Sequence, residues 1–415
     1  MKRRVVITGM GCITPAGPGV AALRDAVRTG RISVGPLTRF PVPEGCASRW
    51  AAQADFFRPE THFSPRELKR LDRYAQFALV AAAEAWADAG LPVRTEADAP
   101  DYETGIAFGT ALGGVAGAEA HHARFLEKGL AAIPAALAFQ VFGASAHANI
   151  AIRHRLRGHA TTNADSCAAG LVAVGDAFRA IREGYATRMI AGGAEAPLSP
   201  LTYASFATIK AMSREESDPA RACLPFDRRR TGFVMGEGAA ALILEEREAA
   251  LARNAPIHAE VTGYALNNDA YHMTSSLDDG SAAAEAMTRA IAGAGLVPAD
   301  IGYVNAHASG TPMNDANEAV AIRRVFGSHR PAVSGTKPFY GHPLGAAGAI
   351  ETVLCALALK EQTVSPTPGC TEPDPECAAG LDLVRLKPEA RPLRHVLNNA
   401  FGFGGINASL VLSRA

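Results

Sequence analysis

The 415-residue chain has no run of eighteen uncharged apolar residues, so no segment reads as a membrane-spanning helix. Neither sign of charge dominates: 41 Lys and Arg stand against 41 Asp and Glu. That balance argues against wholesale binding to nucleic acid or to an anionic membrane, and any charged partner has to be met by a local patch. C-x-x-C is absent, and seven cysteines, an odd number, do not make a disulfide framework in a chain of this length. No Cys/His cluster has structural-zinc spacing and no H-E-x-x-H occurs, so no metal is expected. A G-x-x-x-x-G-K-[ST] phosphate loop is also missing. Gly9 and Gly11 follow the first apolar run, but Thr14 stands where a dinucleotide fingerprint needs its third glycine. Nucleotide and nicotinamide chemistry lose their support. The opening MKRRVVITGMG is basic, yet its apolar stretch is too short for a secretory signal, which makes the cytoplasm the expected compartment.

What is there reads as an α/β protein. Strand-like runs cover residues 3–9, 104–110, 160–165, 188–194 and 238–246, then 258–267, 301–308, 331–337, 395–402 and 407–413. Helical periodicity lies between them, at 64–90, 281–295, 312–326 and 344–360. In the first of these Ser64 is placed to N-cap, Pro65 suits the first turn and Glu67 completes a capping box. A turn at Asn254-Ala255-Pro256 suggests two halves, 1–253 and 254–415, each with about five strands. This permits an internal duplication that leaves no sequence identity. Residues 366–380 read as a Pro-rich surface loop.

Chemistry concentrates in four segments. In NADSCAAGLVAVG (163–175), Cys167 follows a strand, and Leu171, Val174, Phe178 and Ile181 then recur at helical spacing. The cysteine therefore sits in the first turn of a buried helix, where free N–H groups and the positive end of the dipole favour a thiolate. The same position also suits a small packing residue. Asp165, if aimed at the sulfur, opposes the thiolate. His307, in VNAHASGTPMND, ends a strand. Lys337 and His342, in SGTKPFYGHPLGAAGAIE, precede a helix. NNAFGFGGINAS (398–409) is a glycine-rich loop able to bring backbone N–H groups and two phenylalanines to a pocket. His121, His122 and His154 read as surface residues of amphipathic helices, and His272 carries no chemistry that can be argued.

Taken together, these segments resemble the β-ketoacyl-[acyl-carrier-protein] synthases of the thiolase superfamily, most closely the elongating type II class with a Cys-His-His site. The likeness runs from VVITGMGCITPAG to FGFGGINASLVL and includes SDPARACLPFDRRRTGFVMGEGAAALILEE (217–246) and NNDAYHMTSS (267–276). It implies a thiolase-like five-layered αβαβα fold of two pseudo-symmetric halves, in a homodimer or a heterodimer with a related subunit. It also implies decarboxylative condensation of an acyl chain with malonyl-acyl carrier protein, giving 3-oxoacyl-acyl carrier protein and CO2, without a metal or organic cofactor.

By motif position, Cys167 carries the acyl chain, His307 and His342 face the malonyl thioester, and Lys337 supports them, paired with Glu351. Phe403 is the gate, and its N–H forms an oxyanion hole with that of Cys167. Leu112 sets acyl-pocket depth, Ser309 and Thr311 contact the pantetheine arm, and Phe401 joins them in lining the substrate. Lys69, Arg70, Arg73 and Lys210 form the docking patch for an acidic carrier protein, which arrives as a separate chain. Three departures from the family pattern, Asp165-Ser166 before the cysteine, Pro338 after Lys337 and Ala-Ser-Gly after His307, leave the catalytic groups in place. They tilt the expected pathway towards polyketide or polyene synthesis. Thiolases use a second cysteine and initiating synthases use Cys-His-Asn, and neither pattern fits. The non-catalytic chain-length subunits lack the cysteine, although a partner-dependent subunit of a heterodimer is the alternative reading.

Overall fold

A computed structural model describes residues 2–415. Ten strands form its core: β1 Val5–Thr14, β2 Thr104–Gly109, β3 Ala160–Asn163, β4 Arg188–Glu195 and β5 Gly238–Glu246 in the first half. In the second half these are β6 Ala259–Asn268, β7 Ile301–Asn305, β8 Ala332–Ser334, β9 His395–Gly402 and β10 Ile406–Ser413. Each matches a strand-like run in the sequence.

The strand order is β3-β2-β4-β5-β1 in the first half and β8-β7-β9-β10-β6 in the second. Directions match as well. In each half the second strand runs parallel to the third and fourth, and the fifth runs antiparallel to the fourth and the first. The halves are thus two copies of one topology. A short antiparallel contact, Val5–Ile7 of β1 against residues 259–261 of β6, joins their sheets edge to edge. The turn between them places Asn254 at φ 53.

Five helices complete the layers: α1 Arg73–Asp88, α2 Ala169–Arg182, α3 Ser281–Gly293, α4 Pro312–Phe326 and α5 Ala347–Glu361. α1 covers the outer face of the first sheet, and α3, with α4 on it, covers the second. α2 and α5 lie between the sheets and touch both. Nearly every residue of these two is buried, which explains why both are mostly apolar, with Asp176, Arg179 and Arg182 of α2 on its one open stripe. Their first turns meet backbone to backbone. A Cβ on Gly170 would lie 2.7 Å from the carbonyl oxygen of Gly345, and one on Gly348 would lie 2.6 Å from Cβ of Leu171. Glycine is required at both places by space alone.

Three expectations need correction. The 64–90 helix is two helices. Ser64 and Glu67 do form the capping box, but on a single turn, Pro65–Leu68, and α1 starts afresh with Asp72 as its N-cap. Asp72 is an ordinary interior residue by pattern, but its carboxylate accepts the Tyr74 N–H and restarts the helix. The 366–380 segment is not wholly a surface loop. Thr367, Cys370 and Cys377 are buried, because the Thr367 hydroxyl accepts the Gly335 N–H and Asp227 accepts that of Glu372.

His154 is not a surface residue either. It is 7 % exposed, and its ring lies 4.6 Å from that of Trp86. Burial, with Arg153 and Arg94 nearby, pushes its pKa down to about 4. Unfolded histidine takes a proton near pH 6.5, so between there and pH 4 the unfolded chain binds the proton and the folded chain does not. His154→Leu is therefore expected to gain about 2 kcal/mol over the parent on going from pH 7 to pH 5. Urea unfolding of both proteins at the two pH values measures it, and parallel stability curves would refute it.

One face is left uncovered. Phe125, Leu126, Leu130, Phe139, Phe142 and Ile152 are exposed on the helical segment between β2 and β3, and β3 forms the open edge of the first sheet. Among the described residues, no helix is long and apolar enough to cross a membrane.

Candidate active site

Cys167 lies in a tight turn, residues 166–168, between β3 and α2. Ser166 takes φ 51, a left-handed conformation that an L-residue adopts only under constraint. The constraint comes from above: a Cβ on Gly402 would lie 3.1 Å from Cβ of Ser166 and 3.2 Å from the Cys167 nitrogen. The end of β9 thus rests directly on the cysteine turn, and the Phe403 N–H reaches the sulfur. Cys167 is 7 % exposed. Burial pushes its thiol up to about 11, against the pull of the Ser166 hydroxyl, Lys337 and the Phe403 N–H. The helix N-terminus favours the thiolate, and desolvation opposes it.

His307 follows β7, and its own N–H and that of Ala308 are accepted by the two oxygens of Glu318, at 2.9 and 2.8 Å. His342 follows Gly341 (φ 72), where a Cβ would lie 2.5 Å from that of Ala52. Its N–H donates to the Val234 carbonyl at 2.7 Å. The two imidazoles meet edge to face with centroids 5.3 Å apart. Burial and the Lys337 charge hold both far below the ordinary histidine range, so both are neutral.

Lys337 lies fully buried behind them. Its Nζ donates to Glu351 Oε1 at 2.6 Å and to the His307 carbonyl oxygen, and stands 3.5 Å from His307 Nδ1. An ammonium can only donate, so Nδ1 is the acceptor and the proton of neutral His307 sits on Nε2. The Tyr340 hydroxyl adds a bond to Glu351 Oε1 at 3.1 Å. Two buried atoms, His342 Nδ1 and Glu351 Oε2, have no protein partner.

These groups open on one cavity of about 100 Å³. Cys167, His307, His342, Ser309, Thr311, Phe401 and Phe403 all line it. Phe403 stacks on Phe206 with centroids 6.3 Å apart, and Ser309 and Thr311 share a hydrogen bond of 3.0 Å. Asp269 and residues 273–276 also line the cavity, in a segment tied to the glycine loop by the Gly404 N–H to the Met273 carbonyl and by the Asn268 amide to the Gly404 carbonyl. Leu112 lies behind the cysteine, in an apolar cluster with Cys167, Tyr203, Phe233 and Leu344.

The profile described as "Beta-ketoacyl synthase, N-terminal domain" matches residues 2–250, and "Beta-ketoacyl synthase, C-terminal domain" matches residues 258–371. The chain belongs to the β-ketoacyl synthase family. It is 40 % identical to 3-oxoacyl-[acyl-carrier-protein] synthase 2 of Synechocystis, over 100 % of this chain and 98 % of that one. It is 43 % identical, with the same coverage, to a Streptomyces cyaneus protein provisionally named polyketide beta-ketoacyl synthase 1. Among solved structures, a type II polyketide ketosynthase in complex with its acyl-carrier protein matches with TM-score 0.92 and 34 % identity over the whole of both chains.

Within this ketosynthase, Lys69, Arg70 and Lys210 are exposed. Arg73 is not free for docking. Its Nε and Nη2 each donate to Glu237 at 2.9 Å, and its guanidinium carbon lies 4.6 Å from the Phe77 ring centroid. The sequence reading missed three buried carboxylates that organise the site: Glu195, Glu237 and Glu318, each at most 1 % exposed. Glu318 had a signal, since it lies on the apolar stripe of α4 beside Asp315, Ala319 and Ile322.

Proposed function

We propose that this β-ketoacyl synthase elongates acyl chains by decarboxylative condensation. Cys167 first takes the acyl group from its carrier. The thiol proton passes to a neutral imidazole in the cavity, the carrier thiolate leaves and is protonated, and the thioester oxyanion is held by the N–H groups of Cys167 and Phe403. Malonyl-acyl carrier protein then loses CO2. The electron pair moves onto the thioester carbonyl as an enolate, stabilised by the neutral imidazole N–H donors of His307 and His342. The enolate carbon attacks the acyl-Cys167 carbonyl, the C–S bond breaks, and 3-oxoacyl-acyl carrier protein leaves.

The observation that carries this reading is the convergence of Cys167, both histidines and the Phe403 N–H on one buried cavity. Intact mass after incubation with acyl-carrier-protein thioesters of several lengths tests it. A single-acyl increment, lost in Cys167→Ala, is expected, and no increment with any chain overturns the reading.

Ser309 and Thr311 line the arm of the carrier, and Lys69, Arg70 and Lys210 meet its acidic surface. Charge reversal of Lys69 and Arg70 together is expected to raise KM for the acyl carrier about tenfold at low salt with kcat unchanged, since such contacts act on encounter and are screened. Equal kinetics in the variant would remove those residues from the docking face. Leu112 limits acyl length: Leu112→Trp fills the space behind Cys167 and shifts loading to shorter chains, by the same mass measurement.

The uncovered face beside β3 carries a second subunit, either a copy or a related chain. Identity near 40 % to both a fatty-acid and a polyketide relative leaves both pathways open, and the family's carrier-borne substrates make the cytoplasm the working compartment.

A further inference from the structure

Glu195 ends β4 with no exposed surface, and it belongs to no ion pair among the described residues. Its two oxygens accept four hydrogen bonds from two remote segments. Oε1 takes the Thr110 hydroxyl and the Leu112 N–H, both at 3.1 Å. Oε2 takes the Ala111 N–H at 2.6 Å and the Gly345 N–H at 3.1 Å. Burial pushes its carboxyl up to about 7 against the pull of these four donors, so it carries its charge through the higher range in which Cys167 ionises. The packing leaves no slack: a Cβ on Gly345 would lie 2.5 Å from the Ala111 nitrogen and 2.7 Å from Glu195 Oε2.

The two segments are functionally distinct. Residues 110–112 carry Leu112, in the apolar cluster with Cys167. Gly345 lies three residues beyond His342, in the turn that starts α5, and its neighbour Leu344 (φ 38) is in that same cluster. We infer that Glu195 is a positioning residue which locks the acyl-pocket wall at Leu112 and the His342 turn into one register, so that acyl-length discrimination and malonyl decarboxylation depend on the same side chain. The inference rests on the condensation reading above. Its charge also acts on the nucleophile: Glu195 opposes ionisation of Cys167, whereas Ser166, Lys337 and the Phe403 N–H favour it, with the neutral imidazoles of His307 and His342 on the same cavity.

Glu195→Gln is the test, since the amide has one acceptor oxygen and sets its NH2 against backbone donors. Three effects are expected. The preference for the best acyl chain over its neighbours falls about tenfold. Malonyl decarboxylation loses about tenfold in kcat with KM unchanged. The pH profile for alkylation of Cys167 by iodoacetamide moves to lower pH, because a negative charge has gone. Glu195→Asp should restore the alkylation profile but not the acyl preference, since the charge returns without the reach. Thr110→Val, which removes one donor only, should loosen acyl preference without moving the alkylation profile.

A merely structural Glu195 would lower the folded fraction while acyl preference, the decarboxylation kcat per folded enzyme and the alkylation profile stay at parental values. That result overturns the inference. If the parent protein itself fails to condense, the proposed function falls, while alkylation still tests the effect of Glu195 on Cys167.

Discussion

Cys167→Ala abolishes condensation, with a loss of at least about a thousandfold, and removes every acyl adduct from the protein. No other group can stand in. Among the described residues Cys167 is the one cysteine on the cavity wall. Cys12, Cys223, Cys355, Cys370 and Cys377 are all buried elsewhere, with their thiols pushed up by desolvation, and half-buried Cys46 faces a separate cleft beside Lys210. The histidines and Lys337 touch neither the sulfur nor its backbone through hydrogen bonds, so their geometry survives the substitution. Decarboxylation of malonyl-acyl carrier protein therefore continues in the variant and yields the acetyl thioester. Mass spectrometry of protein and carrier together reads both halves. Acyl adducts in Cys167→Ala, or equal loss of decarboxylation and acyl transfer, would mean that the two steps are not divided between the cysteine and the histidines.

The second large effect is expected at Lys337. Lys337→Met leaves Glu351 buried with neither oxygen facing a charge, one of them already without a partner. Removing one member of a buried pair costs about 3 kcal/mol or more. It also frees His307 Nδ1, so the imidazole no longer has to keep its proton on Nε2, and decarboxylation falls about a hundredfold, the scale of losing an oriented donor. Burial already raises the Glu351 pKa above its unfolded value, and loss of the ammonium raises it further. The folded variant then takes up a proton that the unfolded chain does not, so its stability increases as pH falls towards the unfolded carboxyl range. The double variant Lys337→Met/Glu351→Leu should regain much of the stability but none of the activity, which separates folding from chemistry. Calorimetry across pH and single-turnover CO2 release measure the two. Full activity in the double variant would show that Lys337 serves the fold alone.

The ten core strands were legible because most are apolar without alternation, the pattern of strands covered on both faces. The reactive residues were legible because each sits next to glycine or at a strand end, where punctuation in sequence marks a turn. What sequence could not show was tertiary in origin. Asp72 stops one helix and starts another through a single side-chain bond. His154 lies on a helix whose other residues look amphipathic, and only the Trp86 ring against it reveals its burial. Arg73 sits among exposed basic residues in sequence, yet Glu237, 164 positions away, draws it inward. The carboxylates Glu195 and Glu237 act on segments distant in sequence, so no local pattern announces them, whereas Glu318 could have been found on the buried stripe of α4. Duplication of the half-fold was permitted by the strand count, but it became visible only in strand order and direction.

A thiol held at about 11 by burial is almost wholly S–H at neutral pH. The thiolate, not the thiol, attacks peroxide and similar oxidants, so the resting protein presents them with little to react with. The thiolate arises only as the proton leaves towards an incoming thioester, and acylation then caps the sulfur. Between substrates, and while it carries an acyl group, the enzyme is thus expected to resist inactivation in oxidising surroundings.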